Sequence, residues 1–289
     1  MEDLIYRKVS DTPRLSLLDE MFVEKGTKDD WDKLHHLHYK SSDRNDGGFA
    51  IWRCVHEDNL VGVVMMNSPD ILSRERHILF PKLKPTGKET TAGNTARMNL
   101  HINKSFLRIT RTVTSGIYRG SGAGYRMINL ACRMQGIRYI EIVSAMSRYN
   151  QFVEKSGFVT LPSLEPVQYE ATKIFLEQRF KIKNVQDVVG LMEEFENMHP
   201  KFKQKVLMDC QNFYYKISAR EKTGGNKDKT VEDHVRKLPF KRIIAQIAQI
   251  AFTRKKYGVY ENPDYQIKLP ERLKLTAFDR QKTNEKLIF

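Results

Sequence analysis

The chain has 289 residues, a formal net charge of +14, 40% apolar residues and three cysteines. That length accommodates one substantial core plus an appendage, and no apolar run approaches the roughly 18 to 20 residues of a membrane span. Cys54, Cys132 and Cys210 are dispersed in apolar segments, which argues against a disulfide framework or a zinc motif, and with no signal peptide at the N-terminus a cytoplasmic protein is expected.

In chain order, residues 30 to 39 place Trp31, Leu34 and Leu37 at helical spacing, with Asp29 or Asp30 as the N-cap. His35, His36, His38 and Tyr39 ride on this segment. His35 and His38 stand three residues apart on a helix, a spacing compatible with a metal, yet no matching carboxylate or further histidine can be assigned from sequence; the alternative is a set of surface or capping histidines. Residues 49 to 56 and 60 to 66 read as apolar strands joined by a hairpin at Glu57-Asp58-Asn59. Residues 81 to 104, with Pro81, Pro85, Gly87 and Gly93, read as a long exposed loop of the kind that faces substrate.

Phe106 to Val113 is a further strand, and Arg111 within it needs an explanation, because a charge in an apolar strand is costly unless paired or facing a cleft. Arg111 either binds a phosphate or carboxylate of the substrate or pairs with Glu141. Next comes Tyr118-Arg119-Gly120-Ser121-Gly122-Ala123-Gly124, which opens the helical pattern Met127, Ile128, Leu130, Ala131, Met134. A strand, a basic residue, alternate glycines and a helix start together suit an anion, because glycine tolerates positive φ and lets backbone N–H groups converge at the positive end of a helix. A dinucleotide fingerprint needs its third glycine one position later, and a P-loop needs Gly-Lys-Ser/Thr, so neither matches. A glycine-rich turn without a ligand is the other reading of this stretch alone. Residues 137 to 143 form another strand, 144 to 157 a short helix stopped by Gly157, and Phe158 to Thr160 a further extended segment.

Beyond residue 165 the pattern turns helical, at 172 to 180, 185 to 195 and 238 to 252, with a turn at Gly224-Gly225-Asn226. Residues 201 to 260 hold 15 Lys+Arg against 5 Asp+Glu, which is +10 of the total of +14. Phe202, Phe213, Tyr214, Tyr215, Phe240, Phe252, Tyr257 and Tyr260 are interleaved with that charge. Such a mixture suits phosphate backbones and unstacked bases, or else is a lysine-rich surface over core aromatics. Residues 261 to 289 either wrap the surface or remain mobile. The expected organisation is an α+β core over residues 1 to 165, a mixed sheet flanked by helices, followed by a basic, mainly helical extension over 166 to 289.

Arg119-x-x-Gly122-x-Gly124 resembles the pyrophosphate loop of the GNAT superfamily of N-acetyltransferases, and the order of loop, helix, strand, helix with Tyr149 and Asn150, then Gly157-Phe158 is similar to the second half of that cofactor site. Within the superfamily the chain most resembles the Mom-type phage DNA-modification proteins and their relatives fused to ABC-type ATPases. The likeness lies in Leu37-His38-Tyr39, Arg111-Thr112-Val113, the glycine loop and the stretch from Ala145 to Phe158, and covers about residues 30 to 160. It departs at Thr114-Ser115-Gly116-Ile117, where many relatives have a proline.

The resemblance implies acetyl-CoA or a related acyl-CoA, held by Val113, Arg119, Gly120, Ser121, Gly122, Ala123, Gly124, Asn150 and Phe152. It implies His38, Tyr39, Arg111, Ser144 and Tyr149 as catalytic residues, with Tyr149 where the acid for the departing thiolate often sits. Iron is a further implied cofactor, of the Mom type. DNA would be the partner, an exocyclic amine of a base such as adenine N6 the acceptor, protection from restriction the outcome and a host cytoplasm the location. Two readings stay beside it: transfer to a protein or small-molecule amine, and a nucleic-acid-binding module on a fold that no longer turns over.

Overall fold

A computed structural model describes residues 15–38, 50–84, 92–218, 221, 230–231 and 234–288, and these form two compact units. The first is built from the chain up to Pro162 and again from Lys256 onward; the second spans Ser163–Lys255. In chain order the first unit carries β1 (Met21–Lys25), α1 (Lys28–Leu34), β2 (Ala50–His56), β3 (Asn59–Asn67), α2 (Arg74–Leu79), α3 (Ala92–Ser105), β4 (Phe106–Thr114), α4 (Ala123–Met134), β5 (Tyr139–Ser144), α5 (Phe152–Lys155) and β6 (Val159–Thr160). The second unit holds α6 (Tyr169–Glu177), α7 (Val188–Glu196), α8 (Pro200–Ile217) and α9 (Phe240–Ala251), after which β7 (Lys256–Glu261) and β8 (Arg272–Lys274) belong to the first unit again.

The architecture is α+β. One mixed sheet runs in the order β6-β7-β5-β4-β3-β2-β1-β8, antiparallel throughout except for β4 beside β5. Alternation of side chains along the strands gives the sheet two apolar faces. On one face α4 buries Met127, Ile128, Leu130 and Ala131 against Val64, Met66, Leu107, Ile109, Ile140 and Ile142. Each fully buried Met, Ile or Leu side chain is worth about 1.5–3 kcal/mol, so this helix anchors the sheet. On the opposite face Leu34 of α1 packs with Val63, Met65 and Val113, and Trp31, Ile51 and Leu60 close around them.

Two irregularities shape the middle of the sheet. Met65 pairs with Arg111 but Met66 pairs with Ile109, so Thr110 is an extra residue in β4. A one-residue bulge reverses which side chains face which way. Leu107 and Ile109 face α4 before it, and Val113 faces α1 after it. Arg111, opposite Met65, shares the α1 face. The second irregularity is a divergence. β4 and β5 pair only over Phe106–Ile109 and Tyr139–Ile142, after which β4 continues to Thr114 on β3 and β5 continues to Ser144 on β7.

Several expectations are corrected. Thr27, not Asp29 or Asp30, caps α1: its amide donates to Asp30 Oδ2 at 2.8 Å in a capping box, and Asp30 also holds Arg53 at 3.2 Å. The stretch 81 to 104 is not one loop, since Ala92–Ser105 is helical. Gly93 and Thr95 fall in its opening turn, and Ala96, Arg97, Met98 and Leu100 are good helix formers beyond them. Residues 261 to 288 belong to the unit that holds the sheet and not to a C-terminal extension. β8 pairs with β1, and Leu273, Leu275, Ala277 and Leu287 are buried in the main core. The helical segment apart from the sheet is therefore 163 to 255, not 166 to 289.

The second unit packs Leu176, Leu191, Phe195, Val206, Tyr214 and Ile243 among others into a core of its own. Its aromatics are mostly interior. Phe213 stacks on Phe175 with centroids 3.9 Å apart, Phe240 stacks on Phe195 at 3.7 Å, and buried Tyr214 donates to Glu221 at 2.6 Å. Tyr257 and Tyr260 are buried in the sheet of the first unit. Only Phe202 of that interleaved set stands well exposed among the described residues, at 66%. The turn at residues 224 to 226 lies outside the described residues.

Candidate cofactor cradle and acyl-transfer site

After β4 the chain makes a 3-10 turn at Gly116–Tyr118 and then the glycine loop. Gly120 and Gly122 have φ of 82° and 85°, the left-handed region that favours glycine, and Gly122 is the N-cap of α4. Ser121 pins the turn from inside: its hydroxyl donates to the Tyr118 carbonyl at 2.7 Å and accepts from the Ala123 amide at 3.2 Å. The amides of Gly120, Gly122 and Gly124 donate to no protein acceptor among the described residues. These N–H groups lie at and just before the positive end of a twelve-residue helix, a place suited to a phosphate.

Side chains border the turn unevenly. A Cβ at Gly120 would meet nothing within 4 Å, whereas one at Gly122 would come to 2.5 Å from Arg126 Nη1 and one at Gly124 to 3.1 Å from Thr114 Oγ1. Arg119 Nε donates to the Thr114 carbonyl at 3.2 Å, tying the loop to the end of β4. Arg126 donates to the Gly122 carbonyl at 3.1 Å and is gripped by Asp279. Tyr125 and Phe278 meet edge to face behind it at 5.5 Å. Arg126 and Asp279 were not anticipated from sequence. Arg126, four residues after Gly122, was a local clue, but nothing local points to a partner in the last turns of the chain.

The remaining candidates distribute as follows. Val113 is buried on the α1 face, and Arg111, half-buried on the same face, donates to the Thr110 carbonyl at 2.9 Å. His38 is half-buried, its ring edge-on to Trp31 at 6.0 Å, and Trp31 packs on the cluster that contains Val113. His38, Arg111 and Val113 thus share one side of the sheet. Tyr39 lies outside the described residues. Ser144 is buried, and its hydroxyl accepts from the Met146 amide at 3.2 Å, at the start of the turn at Met146–Arg148. Tyr149 follows that turn and is 79% exposed, with Asn150 exposed next to it. Phe152 is half-buried and packs on the main core. The Ser115 amide, the second N–H after Val113, is committed to the Val61 carbonyl at 2.8 Å and is not available for a substrate oxygen.

The pairing of Arg111 with Glu141 is corrected. Glu141 belongs to Arg76, whose Nε and Nη2 donate to it at 2.5 and 2.7 Å; Arg76 also donates to the Ile71 and Asp70 carbonyls, at 3.1 and 2.7 Å. Both side chains are buried, and the Tyr257 hydroxyl also donates to Glu141. Burial first, and the carboxylate second, push the Tyr257 phenol well above its ordinary range. Arg108 lies on the same side of β4, with Asp70 on its guanidinium, and burial lowers it from its usual value.

Two implied cofactors meet different fates. The glycine cradle fits a pyrophosphate-bearing acyl-CoA by donor set and helix polarity. Iron finds no support at the histidine segment: the three-donor set found among the described residues, Glu20, His56 and Glu57, contains none of His35, His36 or His38.

No family model matches the chain, and no curated protein matches it. Solved structures similar to it include agmatine N-acetyltransferase in its S171A apo form, at 14% identity over 52% of this chain and 88% of that one, with a TM-score of 0.36. Arabidopsis thaliana NAA60 in complex with acetyl-CoA is 13% identical over 51% and 91%, with a TM-score of 0.35. A histone acetyltransferase HPA2 and related acetyltransferase from Corynebacterium glutamicum is 18% identical over 50% and 88%, with a TM-score of 0.29. Each likeness spans about half of this chain, and at these values it assigns neither an activity nor a substrate. No helix among the described residues is long and apolar enough to cross a membrane.

Proposed function

We propose that this protein is an acyl-CoA-dependent transferase of the GNAT type that moves an acyl group onto an amine. The observation that carries the reading is the cradle of Gly120, Gly122 and Gly124 amides at the N-terminus of α4, set at the end of the strand that parts from β5. When bound, the cofactor supplies an activated thioester. The glycine amides and Arg119 hold its pyrophosphate. Arg111, half-buried beyond the Thr110 bulge, places positive charge on the α1 side of the sheet, and His38 accepts the proton of the attacking amine. Tyr149, exposed after β5, returns a proton to the leaving thiolate. Calorimetric titration with CoA and acetyl-CoA tests the assignment: micromolar binding that disappears in a folded Gly122→Val variant is expected, and absence of binding to the unaltered protein rejects it.

As acceptor we propose an exocyclic amine of a DNA base, adenine N6 in the Mom manner, with protection from restriction as the result. Net charge of +14 supports this, as do exposed Lys201, Phe202 and Lys205 in the first turns of α8, which suit a polyanion better than a cationic amine. Burial of Tyr214, Phe240, Tyr257 and Tyr260 removes stacking platforms and favours the second reading, a protein or small-molecule amine. Mass spectrometry of nucleosides from DNA of expressing cells separates them. A new nucleoside that vanishes in Arg119→Ala supports the first; an unaltered nucleoside profile, together with labelled acetyl groups on a non-DNA acceptor, supports the second.

A further inference from the structure

We propose that Glu20, His56 and Glu57 form a binding site for a divalent transition-metal ion of the zinc class. Each offers one ligand atom, and the three atoms lie within 4.8 Å of one another. The antiparallel register of β1 on β2 makes the site: Met21 pairs with His56, which brings Glu20 beside that imidazole, and Glu57 follows at the start of the β2–β3 turn. His56 Nε2 lies 3.1 Å from Glu20 Oε2. Two ligands on one tetrahedral ion, with bonds of about 2.0–2.2 Å, are separated by roughly 3.3 Å, so the pair already stands near a coordination edge. One imidazole and two carboxylates form a donor set of borderline softness that suits zinc or cobalt, and three protein ligands leave a position for water.

The far side of the imidazole supports the assignment. His56 Nδ1 lies 3.4 Å from the Tyr118 hydroxyl, with the rings edge to face at 6.1 Å. A ligating histidine whose second nitrogen is engaged in this way is fixed in orientation and tautomer, with Nε2 turned to the ion. Asp19 and Asp58 flank the three donors in sequence, so the site is locally acidic in a chain whose net charge is +14. Tyr118 also supplies the carbonyl on which Ser121 pins the glycine turn, so an ion at His56 is linked to that turn through one residue.

The test uses the full chain, stripped with a chelator and titrated with Zn2+ against a chromophoric competitor, and with Co2+ to read its visible absorption. One equivalent with tetrahedral Co2+ bands is expected. Affinity should fall about 100-fold in His56→Gln and about tenfold in Glu57→Gln, and roughly tenfold in Tyr118→Phe. Glu57 is exposed, so its variant remains informative should His56→Gln fold poorly. A His35→Gln/His36→Gln double variant should bind as the unaltered protein does. No binding, binding unchanged in both His56→Gln and Glu57→Gln, or binding lost only in the double variant overturns the proposal.

Discussion

Arg126 and Asp279, 153 residues apart, are joined by three hydrogen bonds of 2.8 to 3.0 Å directly behind the glycine turn. The guanidinium reaches the Gly122 carbonyl as well, so the last turns of the chain hold the residue that shapes the cradle. Asp279→Ala leaves a largely buried arginine without its carboxylate, and we expect a loss of about 2–3 kcal/mol in unfolding free energy. CoA affinity should fall with it, because the turn loses its support. Urea denaturation and calorimetry of the same variant check both; full stability with unaltered CoA binding would show that the pair is ornamental.

The two left-handed glycines differ in surroundings, and that difference predicts a ranking. At Gly120 alanine meets open space and only the backbone conformation opposes it, about 1 kcal/mol. At Gly122 the same conformational cost is joined by a methyl group 2.5 Å from Arg126 Nη1, which has to move and disturb its bonds to Gly122 and Asp279. Gly122→Ala should therefore cost about 2–3 kcal/mol and reduce CoA binding far more than Gly120→Ala. The reverse order in a denaturation series would contradict the geometry of the turn.

Alkaline pH should weaken the fold in a defined way. Tyr257 and Tyr260 are both pushed above the ordinary phenol value of 10.0, chiefly by burial. In the unfolded chain they ionise near pH 10, so above that pH the unfolded state holds fewer protons than the folded one. Stability is fully present below pH 10 and falls as pH rises, by about 1.4 kcal/mol per pH unit for each tyrosine. Buried Cys54, pushed up to about 12, adds a slope of the same sign from its unfolded value upward. Comparison of Tyr257→Phe with the unaltered protein isolates one phenol: between pH 10 and 11.5 its stability should decline less steeply by about 1.4 kcal/mol per unit. Parallel slopes would mean that Tyr257 is not held protonated.

Local pattern carried much of this architecture. The strands at β2, β3, β4 and β5, the helix after the glycine loop and the stop at Gly157, with φ of 91°, follow from alternation, apolar spacing and glycine chemistry within short windows. What escaped was non-local. Thr110 reads as an ordinary strand residue until β3 pairs with Ile109 and Arg111 on either side of it, and only that pairing turns Arg111 toward α1. Glu141 stood near Arg111 in the pattern but found Arg76 on α2, in a stretch read as neither helix nor site. β7 and β8 are short and charged at their ends, and they became strands because β5 and β1 offered open edges. The left-handed glycine turn was legible because its chemistry is local; its support from Asp279 was not.

Charge on α8 leads to the last expectation, which tests the DNA reading apart from the chemistry. Lys201 and Lys205 are exposed one helical turn apart, with exposed Phe202 between them, whereas Lys203 is paired with Glu196. If these groups meet phosphates, each contact releases about one counterion, and the logarithm of affinity falls against the logarithm of salt with a slope near −0.9 per phosphate. Lys201→Ala and Lys205→Ala should each weaken duplex binding across unrelated sequences and make that slope shallower by about 0.9. Lys203→Ala should change it less, because its charge is already answered by a carboxylate. A salt slope that ignores Lys201 and Lys205 would move the nucleic-acid contact off α8, whereas absence of any DNA binding would favour a small-molecule or protein amine as the acceptor.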